Sequence, residues 1–362
     1  MRIPPSVTSR LLGPAASQFD RAVVRAAGWR TRSSHARAEQ LSHAERVERL
    51  GSIRDAYGDP ALLASPELFF PPPPAIHPLC VRVRDLEGAT DGRAGVFDAT
   101  WASGFSPFLP GFAEQYLSHD RNRTAHARLF LAAEPRPAVI AIHGYMGGQY
   151  RIEERAFPVR WMLRRGFDVA LVNLPFHAHR TREDGGAAPL FPGSDPRYTI
   201  EGCRQAVHDL RGLAGYLRGR GAPSAGVMGM SLGGYTTALL ATLDADLSFA
   251  IPIIPLASFA DFAREQGRLG SGAEADEQHK AFEDAVRVVS PLARPSLVTK
   301  ERTLTLAASH DQITPARHAE RLAAHLGGRL VIFPGGHLLQ FGRGDAFREI
   351  GKFWRQNALG GG

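Results

Sequence analysis

The sequence predicts an α/β fold in which a doubly wound, mostly parallel sheet of about eight strands lies between two layers of helices. From residue 138 onward, short apolar runs alternate with helix-compatible segments, which is the pattern of repeated strand–helix units. Runs such as AVIAI at 138–142 and VALV at 169–172 are continuously apolar. Strands of this kind are buried on both faces, as in a parallel sheet covered by helices.

Two helices are predicted near the N-terminus. The first covers about 16–30, where four apolar residues share one face: Phe19, Val23, Ala26 and Ala27. The second begins at a capping box formed by Ser42 and Glu45. A basic amphipathic helix such as the first can lie on an anionic membrane. Packing on its own domain is the commoner role for such a helix, and it is the one that we expect.

A run of four prolines at 71–74 separates these helices from the rest of the chain, because polyproline favours an extended conformation. The sequence thus predicts an N-terminal helical extension with a proline-rich linker over 1–74 and an α/β domain over 75–362. Within this domain, about 256–302 is expected to form a small helical cap. Nine β-rich or apolar runs follow the prolines, at 80–84, 96–101, 127–132, 138–143, 169–174, 226–230, 249–254, 304–308 and 330–333.

Charge and cysteine content narrow the class of protein. The net charge is +7 over 362 residues, but the first 50 hold nine arginines and four acidic residues, so the other 312 carry only +2. The α/β domain therefore has no strongly basic composition, and no nucleic-acid partner is predicted. Two cysteines, Cys80 and Cys203, are too few for a disulfide framework. With no apolar run long enough to span a bilayer and no secretory signal, a cytoplasmic protein is expected.

A single serine stands between two glycines where an apolar run meets a helix-compatible run. Residues 229–233 read G-M-S-L-G. A serine hydroxyl becomes a nucleophile when a base takes its proton and a sharp turn exposes it. Glycine on both sides of such a turn avoids collisions between backbones. These features predict that Ser231 is a nucleophile.

Two further residues follow predicted strands near the C-terminus. Asp311 comes just after the run at 304–308, and His337 just after the run at 330–333. A histidine can accept the proton of the serine, and a carboxylate can fix the imidazole tautomer and stabilise its cation. We therefore predict a triad of Ser231, His337 and Asp311. Asp261, which follows the run at 249–254, is the alternative acid.

These residues and their order along the chain resemble the serine-nucleophile α/β-hydrolases, the esterase- and lipase-like members in particular, over 75–362. A closer likeness to members with an N-terminal helical extension rests on W-x-S-G-F at 101–105 and N-L-P-F-H-x-H-R at 173–180. The resemblance implies the α/β-hydrolase fold, with the nucleophile on the turn after the fifth strand. It also implies hydrolysis of an ester, thioester or amide through an acyl-enzyme, without a metal or organic cofactor.

The resemblance further implies an oxyanion hole of two backbone N–H groups. One belongs to Leu232, the residue after the nucleophile. The other comes from the loop after the run at 138–143, with Tyr145 as the first choice and Met146 as its neighbour. His143 is expected to brace this loop rather than to act as the base.

The loop after 169–174 reads PFHAHRTR and departs from the D-x-R-G-H-G that is common in the superfamily. His177, His179 and Arg180 are predicted, with Met146, to bind the substrate, and a surface location is the alternative. A pair of histidines in H-x-H spacing can open a zinc site. No third ligand motif follows it, so no metal is predicted.

The sequence thus predicts a serine hydrolase that acts on a carboxylic ester in a small-molecule acyl substrate. Two alternatives stay open. In an acyltransferase with the same triad, an alcohol or amine replaces water in the second half of the reaction. In a noncatalytic binding protein, the fold is retained without the chemistry.

Overall fold

The computed structural model describes residues 1–4, 13–22, 41–86, 94–181 and 188–360. Within these ranges, nine strands form one sheet in the order β1-β2-β3-β5-β4-β6-β7-β8-β9. The strands from β4 to β9 run parallel to one another, whereas β1, β2 and β3 pair antiparallel at one side. The strands are Leu79–Arg84, Gly95–Ala102, Thr124–Leu131, Ala138–Ile142, Asp168–Val172, Ala225–Met230, Leu247–Ile253, Leu304–Ala308 and Arg329–Phe333.

The doubly wound, mostly parallel α/β architecture is confirmed, with one more strand than predicted. The additional strand is β1, which has mostly exposed side chains and, among the described strands, pairs with β2 alone. Counted from β2, the strand before Ser231 is the fifth. In register, Ile142 at the end of β4 lies opposite both Val172 of β5 and Gly229 of β6. The loops after these strands therefore leave the sheet at the same edge.

Helices cover both faces of the sheet. One apolar core contains side chains of α2, α7 and α8, and a second, on the other face, contains side chains of α5, α6 and α12. The described part of α1 is 13–22, and the other helices are His43–Tyr57 (α2), Pro60–Ala64 (α3), Pro110–Leu117 (α4), Tyr150–Ala156 (α5), Val159–Leu163 (α6), Pro196–Gly219 (α7), Leu232–Ala241 (α8), Phe259–Glu265 (α9), Gly272–Ala285 (α10), Ala316–Leu326 (α11) and Arg343–Gln356 (α12). Short 3₁₀ helices lie at Pro66–Leu68, Asp120–Arg123, Ala178–Arg180, Arg287–Val289 and Lys300–Arg302.

Helix α7 carries a buried polar stripe. Glu201, Gln205 and Asp209 are spaced four residues apart, so they share one face of the helix, and each is at most 2% exposed. Buried polar groups need hydrogen-bond partners. Glu201 accepts a hydrogen bond from Tyr57 Oη in α2 at 2.9 Å, and Gln205 accepts one from Tyr116 Oη at 2.8 Å. The stripe thereby ties α2 and α4 to the central layer.

The N-terminal extension packs on the α/β domain. Besides Tyr57, α2 places His43 at 2.8 Å from Glu277 of α10 and Arg49 at 3.1 Å from Asp195, the N-cap of α7. Ser42 and Glu45 form the predicted capping box. Helix α2 thus bridges α7 and the cap region.

The first helix uses a different face from the one predicted. In α1 the buried residues are Gly13, Ala16 and Asp20, whereas Phe19 is 45% exposed. An apolar buried face was predicted, but this helix packs on polar loops and therefore buries the carboxylate of Asp20. The predicted continuation from residue 23 lies outside the described residues.

The predicted cap contains α9 and α10, between β7 and β8. Three side chains form a small apolar cluster there, Ala263, Leu269 and Ala275. Leu269 of this cluster belongs to the segment that connects α9 and α10. Among the described helices, none combines the length and the apolar character needed to cross a bilayer.

Candidate active site

Ser231 occupies a strained turn between β6 and α8. Its φ is 56° and its ψ is −113°, a backbone conformation that costs a non-glycine residue about 1–3 kcal/mol. The turn is held by a bond from Ser231 N to Ile253 O at 3.0 Å. A Cβ on Gly229 would lie 2.2 Å from Gly233 O, and one on Gly233 would lie 2.1 Å from Ile142 O. Both flanking glycines are therefore required by close backbone packing, as the sequence pattern predicts.

His337 and Asp311 form a buried pair on the loops after β9 and β8. The distance between His337 Nδ1 and Asp311 Oδ2 is 2.7 Å. Asp311 Oδ1 accepts hydrogen bonds from the backbone N–H groups of Ile313 and Thr314, both at 2.8 Å. The carboxylate is thus fixed by its own loop and directed at the imidazole, which is the arrangement that a triad needs.

The charge around His337 favours its protonated form. Burial lowers the pKa of the imidazole, but the charge of Asp311 and the hydrogen bond to it outweigh burial, and Asp20 adds to them. The net effect raises the pKa of His337 above its usual value. A base acts only when it is neutral, so activity that depends on His337 should fall as the pH drops through this raised pKa.

Thr314 connects the pair to the turn that carries Ser231. Its hydroxyl donates to Ile254 O at 3.0 Å and lies 3.1 Å from His337 Nδ1. The residue before Ile254 is Ile253, whose carbonyl holds the Ser231 backbone. The end of β7 thus links the two parts of the predicted triad. Thr314 was not among the predicted site residues, although its position three residues after an acid is a common capping arrangement.

Asp261, the alternative acid, lies in α9 and faces other groups. It lies 2.7 Å from His279 Nε2 and 2.5 Å from Arg321 Nη1. Its described polar contacts do not include His337, whereas those of Asp311 do. Asp311 therefore remains the predicted acid of the triad.

The predicted oxyanion residues lie on both sides of Ser231. Leu232 is the first residue of α8, where backbone N–H groups lack partners inside the helix. The loop after β4 passes beside the serine, because a Cβ on Gly144 would lie 3.3 Å from Ser231 Cβ. In that loop, Gly147 N donates to Gly144 O at 3.0 Å. This bond closes a turn around Tyr145 and Met146. The N–H of Tyr145 takes no part in the bond that closes the turn.

His143 braces the same loop. Its Nε2 accepts a hydrogen bond from Leu174 N at 3.0 Å, so Nδ1 carries the proton and donates to Gly144 O at 2.7 Å. Burial lowers the pKa of His143 to about 4, and the bond to Gly144 offsets this only in part. The ring is neutral at physiological pH with both nitrogens engaged, so it serves as a brace.

The two histidines of the H-x-H pair have separate surroundings. His177 is fully buried, with its ring against Tyr145 at a centroid distance of 5.8 Å, and its Nδ1 donates to Pro175 O at 2.8 Å. His179 is exposed and its ring stacks with that of Tyr150 at 5.2 Å. His177 therefore adjoins the oxyanion loop, whereas His179 lies at the surface. Within the described residues, no cluster of three or more potential ligands could hold a metal ion.

The side chain of Arg180 lies in the interior of the protein, where its partners are other residues of the chain. It is 1% exposed, and its Nη1 donates to Asp209 Oδ2 of α7 at 2.7 Å while Nη2 donates to Asn122 O at 2.8 Å. Asp209 also accepts a hydrogen bond from Ser103 Oγ at 2.6 Å. The structure thus gives Arg180 a structural role in place of the predicted contact with a substrate. Asp209 joins the two segments, 101–105 and 173–180, on which the closer resemblance rested.

Replacing Asp209 by alanine should lower the free energy of unfolding by about 3–5 kcal/mol, because it leaves the charge of Arg180 buried and unpaired. Urea unfolding followed by circular dichroism measures this change. Asp55→Ala is the control, since Asp55 is an exposed residue that pairs with neighbouring Arg54, and its effect should stay within about 0.5 kcal/mol. Equal effects of the two changes would contradict a stabilising role for the buried pair.

Comparison with solved structures identifies the architecture. The acetyl xylan esterase from Paenibacillus sp. R4 superposes with a TM-score of 0.51 and 15% sequence identity, over 83% of this chain and 98% of that one. The chain has the α/β-hydrolase fold, as the motifs predicted.

Two relatives from Mycobacterium tuberculosis are similar in sequence. "Uncharacterized protein MT2702" of strain CDC 1551 / Oshkosh and "Uncharacterized protein Rv2627c" of strain ATCC 25618 / H37Rv are each 31% identical over 288 residues. The match covers 78% of this chain and 68% of each relative. The chain belongs to the same family as these two proteins. No protein-family model matches it.

Proposed function

We propose that this protein is a serine hydrolase that cleaves a carboxylic ester through an acyl-enzyme. The observation that carries the proposal is the combination of a strained Ser231 turn with a buried His337–Asp311 pair at the same edge of the sheet. Strain at a single non-glycine residue persists when the surrounding structure imposes it, and it concentrates at active sites. An acetyl xylan esterase with the same fold adds support for ester chemistry.

In the first half of the reaction, His337 Nε2 takes the hydroxyl proton of Ser231 while Oγ attacks the carbonyl carbon of the ester. Negative charge develops on the carbonyl oxygen and is met by the N–H groups of Leu232 and Tyr145. The tetrahedral intermediate collapses as the carbon–oxygen bond to the alcohol breaks. The imidazolium of His337 gives its proton to the departing alcohol oxygen, and Asp311 stabilises that cation until then.

In the second half, water replaces the alcohol. His337 takes a proton from the water, whose oxygen attacks the acyl carbon. Collapse of the second intermediate releases the carboxylic acid and returns the proton to Ser231 Oγ. No metal or organic cofactor is needed for any of these steps.

A fluorophosphonate probe tests the proposal, because it reacts with a serine whose hydroxyl is activated by a base. We expect one covalent adduct, located by mass spectrometry on Ser231, and its loss in Ser231→Ala. Ser118→Ala is the control, since Ser118 is exposed at the end of α4, and it should be labelled like the wild type. If folded wild-type protein is not labelled, that result would contradict both the hydrolase and the acyltransferase hypotheses and favour a binding protein.

Product analysis then separates hydrolysis from acyl transfer. The wild-type enzyme is incubated with p-nitrophenyl acetate and an added alcohol, and the acid and the new ester are quantified. We expect acetic acid as the main product. A predominant new ester would identify an acyltransferase with the same triad.

A further inference from the structure

Residues 1–3 lie against β9 and form hydrogen bonds with it. Ile3 N donates to Ile332 O at 2.8 Å, and Ile332 N donates to Met1 O at 2.9 Å. Arg2 forms a parallel bridge with Ile332. Residues 1–3 therefore lie alongside β9, the strand that leads to His337.

Helix α1 contacts both loops of the predicted triad. Toward the acid loop, Ser17 Oγ donates to His310 O at 3.0 Å, and Arg21 Nη2 donates to Gln312 Oε1 at 3.0 Å. Toward the base loop, the contact is made by Asp20. Residues on successive turns of α1 thus hold the segments that carry Asp311 and His337.

The Asp20 carboxylate receives backbone N–H groups of the base loop. Its Oδ2 accepts from His337 N at 2.7 Å, and its Oδ1 accepts from Leu338 N at 3.1 Å. Gln312 N of the acid loop lies 3.4 Å from Oδ2. Asp20 is fully buried, and within the described part of the chain its hydrogen-bond partners are these backbone groups. A charged acceptor makes stronger hydrogen bonds than a neutral one, so the position of the His337 backbone depends on this side chain.

Gly336 permits the close approach. A Cβ at this position would lie 2.7 Å from Asp20 Oδ2 and 3.1 Å from Ala16 Cβ. A larger residue before His337 would displace the Asp20 carboxylate from the loop or press against Ala16 of the helix. The glycine in the sequence G-G-H is therefore matched to the carboxylate that covers it.

We propose that Asp20 is a positioning residue for the base, which holds the His337 backbone so that the imidazole keeps its place between Asp311 and the serine. The proposal rests on the proposed function, since it assigns to the N-terminal extension a part in the same site. Asp20 acts through the backbone of His337 and makes no contact with the reacting atoms in this role. A misplacement of about 1 Å in such a site costs on the order of 10²-fold in rate.

The charge of Asp20 has a second effect that can be measured separately. Two carboxylates act on the imidazole of His337 among the described residues, Asp311 from the loop after β8 and Asp20 from α1, and both raise its pKa against the effect of burial. The neutral imidazole is the active form. Removing the charge of Asp20 should therefore lower this pKa and move the acid limb of the kcat/KM profile to lower pH.

The test compares Asp20→Asn, Asp20→Glu and Ser17→Ala in the full chain. For each variant, kcat, KM and the pH profile are measured with p-nitrophenyl acetate, and the fold is checked by circular dichroism. We expect Asp20→Asn to lower kcat by about 10- to 100-fold, with little change in KM and a lower apparent pKa. Asp20→Glu keeps the charge but displaces it, so it should keep the pKa and lose kcat. Ser17→Ala removes a contact of the same helix and should keep the pKa.

The outcomes separate this proposal from the proposed function. A folded Asp20→Asn with wild-type kcat and pH profile would overturn the role of Asp20, as would an Asp20→Glu with wild-type kcat if the asparagine variant does not fold. A pKa shift in Ser17→Ala equal to that in Asp20→Asn would assign the effect to helix docking alone and overturn the proposal as well. If the wild type is not labelled by the fluorophosphonate, the proposed function fails, whatever the Asp20 variants do.

Discussion

Replacing Ser231 by alanine should lower the turnover of p-nitrophenyl acetate on the order of 10⁶-fold, because it removes the nucleophile and with it the covalent route. The thermal midpoint should change little, since alanine and serine meet the same backbone strain at the positive φ of this turn. Steady-state rates and a thermal melt of the same preparation measure the two effects. Loss of activity together with loss of the fold would leave the catalytic role unsupported.

The double change tests whether the residues act as one unit. Once Ser231 is alanine, His337 has no proton to take, so adding Asp311→Asn should cost almost nothing more. Two losses that multiply would contradict a shared mechanism.

Replacing Asp311 by asparagine should lower turnover by about 10⁴-fold and leave the fold intact. The backbone N–H groups of Ile313 and Thr314 hold one carboxylate oxygen, so the asparagine carbonyl should take that place and turn its NH₂ toward His337. An NH₂ group there donates a hydrogen bond, so Nδ1 must be unprotonated to accept it. The imidazole proton then lies on Nε2. The imidazole can then no longer accept the proton of Ser231.

Asp261→Asn is the matched control for this change. Asp261 lies in α9 beside His279 and Arg321, and its loss should leave turnover near the wild-type value. Steady-state kinetics of the two variants decides between the acids. A mild Asp311→Asn with a severe Asp261→Asn would show that the triad acid is Asp261.

The sequence predicts those parts of the site that depend on a short local pattern of residues. The glycines at 229 and 233 are needed because β6, α8 and the end of β4 meet there at van der Waals distance, and that requirement is visible as a short pattern. Asp311 and His337 each follow an apolar strand directly, so counting strands places both at one edge of the sheet. The ninth strand was also visible as a β-rich run at 80–84, although a sheet of eight was expected.

The parts that the sequence does not reveal depend on distant partners. Arg180 was expected near a substrate because its loop follows a central strand, but its partner is Asp209 on α7. The stripe of Glu201, Gln205 and Asp209 on an otherwise apolar face was the available signal for a buried network. Asp20 had no comparable signal, because an acidic residue in a polar N-terminal helix normally faces solvent.

The contact between α1 and the base loop also sets an order of events during synthesis. The bond from His337 N to Asp20 joins residues that are 317 positions apart. At about 5–20 residues per second, roughly 15–60 s separate the emergence of these two residues from the ribosome. Helix α1 is synthesised well before the loop on which it docks. On the Asp20 proposal, the nascent sheet can carry the Ser231 turn before its base is secured, and the site becomes competent only after α1 has docked on the loop that carries His337.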